Sequence, residues 1–322
     1  MPVTMIAVGI GEVLFDNFED GTDALGGAPL NAAVHAHQLA WPLGLGEGIM
    51  VSAVGADNNG ERVLEELRGR GMSTRYIQVV PQRPTGLVSV FMRDGQPGYQ
   101  ISAGAAWDFI EYDGALDELA ARCDGVFFGS LAQRSPVSRK TIRRFLERAP
   151  QALRMYDVNL RRNTLTGEEG YNAEIVDTSC RLASVVKMNA AELIEICALL
   201  GLECAGEESE AGLRRRMEAL LARYPIEAVV LTRDARGTLL FTRDGEYTAA
   251  ALPVPPEQAH PVGAGDACAA GILFALVMGW ERPQAVELAN RMGAWVASQL
   301  PGTPPLPAAI LDFVRENNRE TK

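Results

Sequence analysis

The stretch Pro261-Val-Gly-Ala-Gly-Asp-Ala-Cys-Ala-Ala-Gly271 runs directly into the apolar segment Ile272–Trp280. Its glycines, Gly263 and Gly265, let the backbone approach a ligand closely and turn amide N–H groups toward it. A helix starting near Asp266 would aim its positive end at the same point, and together these make an anion hole for a transferring phosphoryl group. Asp266, beside that hole, is placed to accept a proton from an attacking hydroxyl. A plainer reading stands next to this one, because aspartate is also a favoured helix N-cap.

Two shorter stretches point the same way. Gly26-Gly-Ala-Pro-Leu-Asn31 leads into a helical pattern over Asn31–Leu39. The glycine pair permits close approach of a small polar ligand, and Asn31 offers both a donor and an acceptor. Val54-Gly-Ala-Asp-Asn-Asn-Gly60 has the turn chemistry that joins a strand to a helix, here over Gly60–Arg70. Read alone, the first is a loop and the second a turn.

Around these stretches, apolar β-branched runs alternate with helical patterns. The runs are Met5–Gly9, Ile49–Val54, Gly125–Gly129, Ala183–Met188 and Ala228–Thr232; helices are expected at Ser138–Arg148, Ala190–Leu200 and Leu213–Arg223. That alternation predicts right-handed β-α-β units, a buried parallel sheet and the α/β class. Glu12–Asp23 and Leu87–Ser102 break the rhythm. The second reads as a hairpin turning at Asp94-Gly95, either a small lid beside the main sheet or an ordinary edge hairpin.

Composition removes whole classes of function. The 322 residues are 47% hydrophobic and 22% charged, which is globular. Thirty basic against 41 acidic residues leave a net charge of −11, which argues against nucleic acid and membrane surfaces as partners. Five scattered cysteines and three histidines give neither a disulfide scaffold nor a structural zinc site. The first Lys or Arg is Arg62, so no signal or transit peptide is expected and the location reads as cytoplasmic. The longest uncharged apolar stretch, Ala267–Trp280, is 14 residues against the roughly 20 that span a bilayer. None of the three lysines (Lys140, Lys187, Lys322) follows a glycine, so there is no G-x-x-x-x-G-K-[ST] phosphate loop. Gly9-Ile-Gly11 lacks the third glycine of a dinucleotide fingerprint, with Leu14 in its place.

The glycine pair with Asn31, the Val-Gly-x-Asp turn and Gly-Ala-Gly-Asp ahead of an apolar helix occur in the order and spacing of the ribokinase-like (PfkB-type) carbohydrate kinases, and the resemblance runs from Val8 to about Pro307. It implies a single kinase domain over residues 1–322. The implied fold is a three-layer α/β sandwich with a mostly parallel central sheet and a discontinuous β-lid near 12–25 and 86–104. It further implies ATP, Mg2+ and transfer of phosphate to a sugar hydroxyl.

Matched position by position, Asp266 resembles the catalytic base, with Gly263, Ala264 and Gly265 as the anion hole. Asp16, Gly27 and Asn31 resemble sugar contacts. Asn189 and Glu192 resemble the N-x-x-E element that orders magnesium and phosphate through water. Thr232 and Gly237 resemble the turn that touches ATP, and Asn290 the helix residue near the adenine. Asp157-Val-Asn-Leu-Arg161 and Gly129-Ser-Leu-Ala-Gln-Arg134 resemble fructokinases and 2-keto-3-deoxygluconate kinases. Asn159, Gln133 and Arg134 could then meet neutral hydroxyls, while Arg161 or Arg134 could clamp a carboxylate. For Arg161 a surface ion pair is the plain alternative.

Fructose is the first expected substrate and the keto-deoxy acid the second, with ribose, other hexoses and nucleosides behind them. A non-catalytic sensor on the same fold is the reading from another class, and the retained Asp266, Asn189 and Glu192 argue against it. Two departures stand out. His260-Pro261 replaces an acidic residue followed by Thr or Ser, which puts K+ activation in question. Asp234 stands where a glycine usually follows Thr232 by two residues, and its carboxylate would repel ATP phosphates. Open lid edges predict a homodimer through the lid.

Overall fold

The structure is a computed structural model that describes residues 4–93, 96–162, 166–167, 169–202, 209–255, 260, 262–300 and 302–320. In chain order, β1 (Met5–Ile10), β2 (Leu14–Phe18) and β3 (Asp23–Gly26) lead to α1 (Ala28–Ala40). Next come β4 (Gly46–Val54), α2 (Asn58–Gly69), β5 (Ile77–Val79), β6 (Gly86–Arg93) and β7 (Gln96–Ile101). Strands and helices then alternate through α3 (Gly114–Ala120), β8 (Gly125–Gly129), α4 (Pro136–Arg148), β9 (Leu153–Asp157) and α5 (Ala173–Leu182). The alternation continues with β10 (Val185–Asn189), α6 (Ala190–Leu199), α7 (Glu210–Arg223) and β11 (Ala228–Thr232). The last elements are β12 (Thr238–Thr242), β13 (Glu246–Thr248), α8 (Ala264–Val277), α9 (Arg282–Ala297) and α10 (Ala308–Glu320).

Nine strands form one sheet in the order β13-β12-β11-β10-β9-β8-β1-β4-β5. Every pairing from β11 to β5 is parallel, and β12 and β13 close one edge antiparallel. Side chains alternate across this sheet as strand geometry requires. Val8 and Ile10 of β1 enter a core with α3–α7, whereas Met5 and Ala7 enter a second core with α1, α8, α9 and α10. Burial on both faces explains why these strands read as near-continuous apolar runs. Among the described residues no helix is long and apolar enough to cross a membrane.

The two stretches that broke the alternation form a separate four-stranded sheet, β3-β2-β6-β7. β2 pairs with β6 in parallel and with β3 antiparallel, and β6 pairs antiparallel with β7 up to Arg93 opposite Gln96. The turn expected at Asp94-Gly95 lies outside the described residues. The Val-Gly-x-Asp turn ties the small sheet to the large one. Asp57 caps α2 by accepting from Gly60 N–H (2.8 Å), and it also accepts from Thr85 N–H and Oγ1 (2.8 and 2.6 Å), one residue before β6.

Two helix starts differ from expectation. α1 begins at Ala28 rather than Asn31, because Gly27 adopts φ 111° as its N-cap and Pro29 fits the first turn. α8 begins at Ala264, two residues before Asp266, with Gly263 as N-cap at φ 82°. Asp266 is therefore inside the helix and is not its cap.

Candidate active site

The C-terminal ends of β1, β9, β10 and β11 open into a cleft of about 890 Å³, the place where ligands bind in open α/β sheets. At its centre is the start of α8. The first intrahelical bond shown there runs from Ala267 N–H to Gly263 O (2.9 Å), so the amides of Ala264, Gly265 and Asp266 have no intrahelical acceptor. Asp266 Oδ2 accepts from Asn31 Nδ2 (2.8 Å), a contact spanning 235 residues that joins the first turns of α1 and α8. Asn31 is 6% exposed, and its Oδ1 has no partner in the protein.

The residues expected at the sugar end mostly converge. Asp16, Gly27, Asn31, Asn159 and Arg161 all line the cleft. Asn159 holds the left-handed conformation (φ 33°) that asparagine tolerates, which turns the chain out of β9. Burial pushes Asp16 up to about 6; Arg161 pulls it down and Asp266 adds to the rise.

Gln133 and Arg134 are corrections. Gln133 is 1% exposed, and its Nε2 donates to Gly129 O (3.0 Å) and Ser179 Oγ (2.8 Å), tying the end of β8 to α5. Arg134 forms a bidentate pair with Asp108 (2.9 and 2.8 Å), donates to Ser102 O (2.6 Å) and stacks over Trp107. Neither is among the residues that line the cleft.

Of the residues expected to meet the nucleotide, Asn189, Thr232, Gly237, Gly263, Gly265 and Asn290 all line the cleft. Asn290 does so with its amide already engaged. Its Oδ1 accepts from Thr238 N–H, and its Nδ2 donates to Ala249 O and Ala250 O, so it fixes the wall. Asp234 lines the cleft in a left-handed conformation (φ 48°), a geometry that glycine would adopt freely.

Asn189 and Glu192 form a complete capping box on α6. Asn189 Oδ1 accepts from Glu192 N–H, and Glu192 Oε2 accepts from Asn189 N–H, each at 2.9 Å. Glu192 Oε1 accepts from Leu160 N–H (3.0 Å), joining the start of α6 to the loop that carries Asn159 and Arg161. His260 N–H donates to Ala297 O (2.7 Å), and Pro261 lies outside the described residues.

Two residues that the sequence reading passed over are central. Lys187, on β10, is 6% exposed and lines the cleft, with Nζ 3.0 Å from Asp157 Oδ2. A Cβ placed on Gly265 would lie 3.1 Å from that Nζ, so the ammonium abuts the start of α8. Burial works against its charge, but Asp157, Asp266 and Glu192 override it and hold Lys187 above the ordinary lysine value. The available signal was a lone lysine within the buried apolar run Ala183–Met188. The other residue is Glu12, a cleft-lining carboxyl only 3% exposed.

Comparison with known proteins agrees with this geometry. Residues 12–309 match the family described as pfkB family carbohydrate kinase. A sugar kinase of Pyrococcus horikoshii is 26% identical over 256 residues, covering 78% of this chain and 73% of that protein. The 2-dehydro-3-deoxygluconokinase of Thermoproteus tenax is 25% identical over 252 residues, covering 77% and 73%. The crystal structure of a Xylella fastidiosa fructokinase with bound ATP superposes with a TM-score of 0.77 at 20% identity, covering 97% of this chain and 98% of that one. A cleft at the strand ends, a helix start with free amides and a carboxylate beside it, and a family match across most of the chain together assign this protein to the pfkB family of carbohydrate kinases, phosphotransferases that use an alcohol group as acceptor.

Proposed function

We propose that this kinase transfers the γ-phosphoryl group of ATP to a hydroxyl of a small neutral sugar, with fructose the first candidate. The observation that carries the reading is the 2.8 Å contact between Asn31 and Asp266. It joins the glycine pair of the sugar end to the carboxylate at the anion hole, so acceptor and donor meet at one group.

In this reading Asp266 takes the proton of the attacking hydroxyl as its oxygen bonds to the γ-phosphorus. The bond to the bridging oxygen breaks, and ADP leaves with the electron pair. The α8 amides and the Lys187 ammonium stabilise charge on the equatorial oxygens, because phosphoryl transfer depends mainly on positioning and electrostatics. β2 and β6 contribute Leu14, Asp16, Phe18 and Val88 to the cleft. The small sheet, within about 12–25 and 86–104, acts as a lid whose closure excludes water.

Magnesium, when bound, neutralises charge on the β- and γ-phosphate oxygens. Asn189 Oδ1 and both Glu192 oxygens each accept one main-chain N–H, which leaves further lone pairs to hold water. Among the described residues no three of His, Cys, Asp and Glu gather as a metal cage. A donor set this sparse fits a magnesium held mostly by phosphate and water. His260 supplies no carboxylate for a monovalent cation, so turnover without added potassium is expected.

A second reading, 2-keto-3-deoxygluconate, rests on Arg161, whose charge reaches both Glu12 and Asp16 from the cleft wall. Coupled ADP release with magnesium-ATP across fructose, 2-keto-3-deoxygluconate, ribose, tagatose, adenosine and inosine, each with and without potassium, separates the two. Fructose or tagatose with the highest kcat/KM supports the first reading. The keto-deoxy acid as the best substrate replaces it with the second.

A further inference from the structure

Glu12 sits between β1 and β2, and the reaction described above gives it no task. It is 3% exposed, it lines the cleft, and its Oε2 has no partner in the protein. Leaving a buried acceptor unmet costs about 1–3 kcal/mol, a penalty a ligand hydroxyl relieves. The surrounding backbone is shaped to bring it there. A Cβ on Gly27 would lie 2.5 Å from the Glu12 carbonyl oxygen and 3.4 Å from Glu12 Cγ. A Cβ on Gly26 would lie 2.9 Å from Asp16 Oδ2. The two carboxyl side chains therefore bracket the glycine pair that opens α1.

We propose that Glu12 is a direct ligand of the acceptor sugar which, together with Asp16, accepts neutral hydroxyls and disfavours acceptors bearing a carboxylate or phosphate at that end. The proposal rests on the sugar-kinase reading and deepens it, because it assigns the substrate class to a residue. An anionic acceptor would bring its charge against Glu12, Asp16, Asp157 and Asp266, with Arg161 and Lys187 as cations lining the same cleft. Like-charge juxtaposition in such a site costs several kcal/mol. Burial, opposed by a main-chain hydrogen bond at Glu12 itself and by Arg161 and reinforced by Asp266 and Asp157, holds Glu12 up to about 7. Near neutral pH it divides between a form that donates and one that only accepts, and either form can pair with a hydroxyl.

The test is calorimetric binding of fructose, tagatose, 2-keto-3-deoxygluconate and fructose 6-phosphate, with ADP present, to the wild type, Glu12→Gln and Glu12→Ala. Thermal melts check that the isosteric Gln variant folds. The wild type should prefer the neutral sugars. Glu12→Gln should weaken their binding about 10-fold and Glu12→Ala about 100-fold, as expected for a buried charged hydrogen bond, with ADP affinity within twofold of the wild type. Both variants should narrow the preference over the anionic acceptors. Neutral-sugar affinities within twofold of wild type in both variants, or an equal loss of ADP affinity, would overturn the assignment. Glu12-dependent sugar binding without any sugar turnover would cost the kinase reading alone. Sugar turnover with Glu12 variants that bind normally would cost this inference alone.

Discussion

In the proposed reading the acceptor end of the cleft places Glu12, buried, and Asp16, half-buried, pushed up to about 7 and 6, around a pair of glycines. The end proposed for the donor presents Asn189 and Asp234 as exposed side chains, with Asn290 and Glu192 already bonded to the backbone. Buried polar groups with unmet capacity are selective, because a wrong ligand leaves them unpaired. Exposed and self-satisfied groups shape a wall without demanding a match. Tight discrimination of the acceptor and tolerance at the nucleotide are the expected consequence, and Asp266 and Lys187 stand where the two ends meet.

The largest effect is expected at that junction. Asp266→Asn should lower kcat by about 10²–10⁴-fold while both ligands still bind, the range for loss of a general base; near-normal turnover would remove Asp266 from the role. Lys187→Met should lower kcat by about 10²–10³-fold, as loss of an electrostatic donor does. It should also destabilise the fold by about 3–5 kcal/mol by leaving Asp157 buried and unpaired. The double variant Lys187→Met/Asp157→Asn should recover most of that stability in denaturant melts without recovering turnover. Recovery of both would make the pair purely structural.

Smaller effects separate the two ends. Gly27→Ala forces a Cβ into a residue at φ 111°, 2.5 Å from a carbonyl oxygen. Such strain costs about 1–3 kcal/mol. Acceptor KM should rise about 10-fold with ATP KM nearly unchanged; equal changes in both would erase the distinction. The acceptor end should also appear in the pH dependence of stability. Glu12 and Asp16 hold protons more tightly folded than unfolded, so their contribution is full below the unfolded carboxyl pKa near 4 and is lost as pH rises through 6 to 7. The Tm of the ligand-free protein should fall from pH 5 to pH 8, with a shallower fall in Glu12→Gln. The smallest change is Asp234→Gly, which relaxes a left-handed backbone and removes a repelling carboxylate. ATP KM should drop about threefold, about 0.7 kcal/mol, with acceptor KM unchanged.

What could be read from the sequence follows the range of the contacts. Gly-Ala-Gly-Asp, Gly-Gly with Asn31 and Val-Gly-x-Asp are local devices, and each forms the turn or helix start its residues dictate. Gln133 and Arg134 looked like ligands because their partners, Ser179 and Asp108, lie 46 and 26 positions away. Lys187 looked like one of several strand residues until β9 and β10 paired and brought Asp157 beside it. Glu12 gives no periodic signal. Its importance comes from burial against glycines on another segment, which only the folded chain defines.

The most direct test is phosphorus NMR of wild-type protein with magnesium-ATP and fructose. The predicted result is a phosphate monoester on the sugar appearing in step with ADP, one for one. Inorganic phosphate as the only product, or unchanged ATP while both ligands bind, would contradict it.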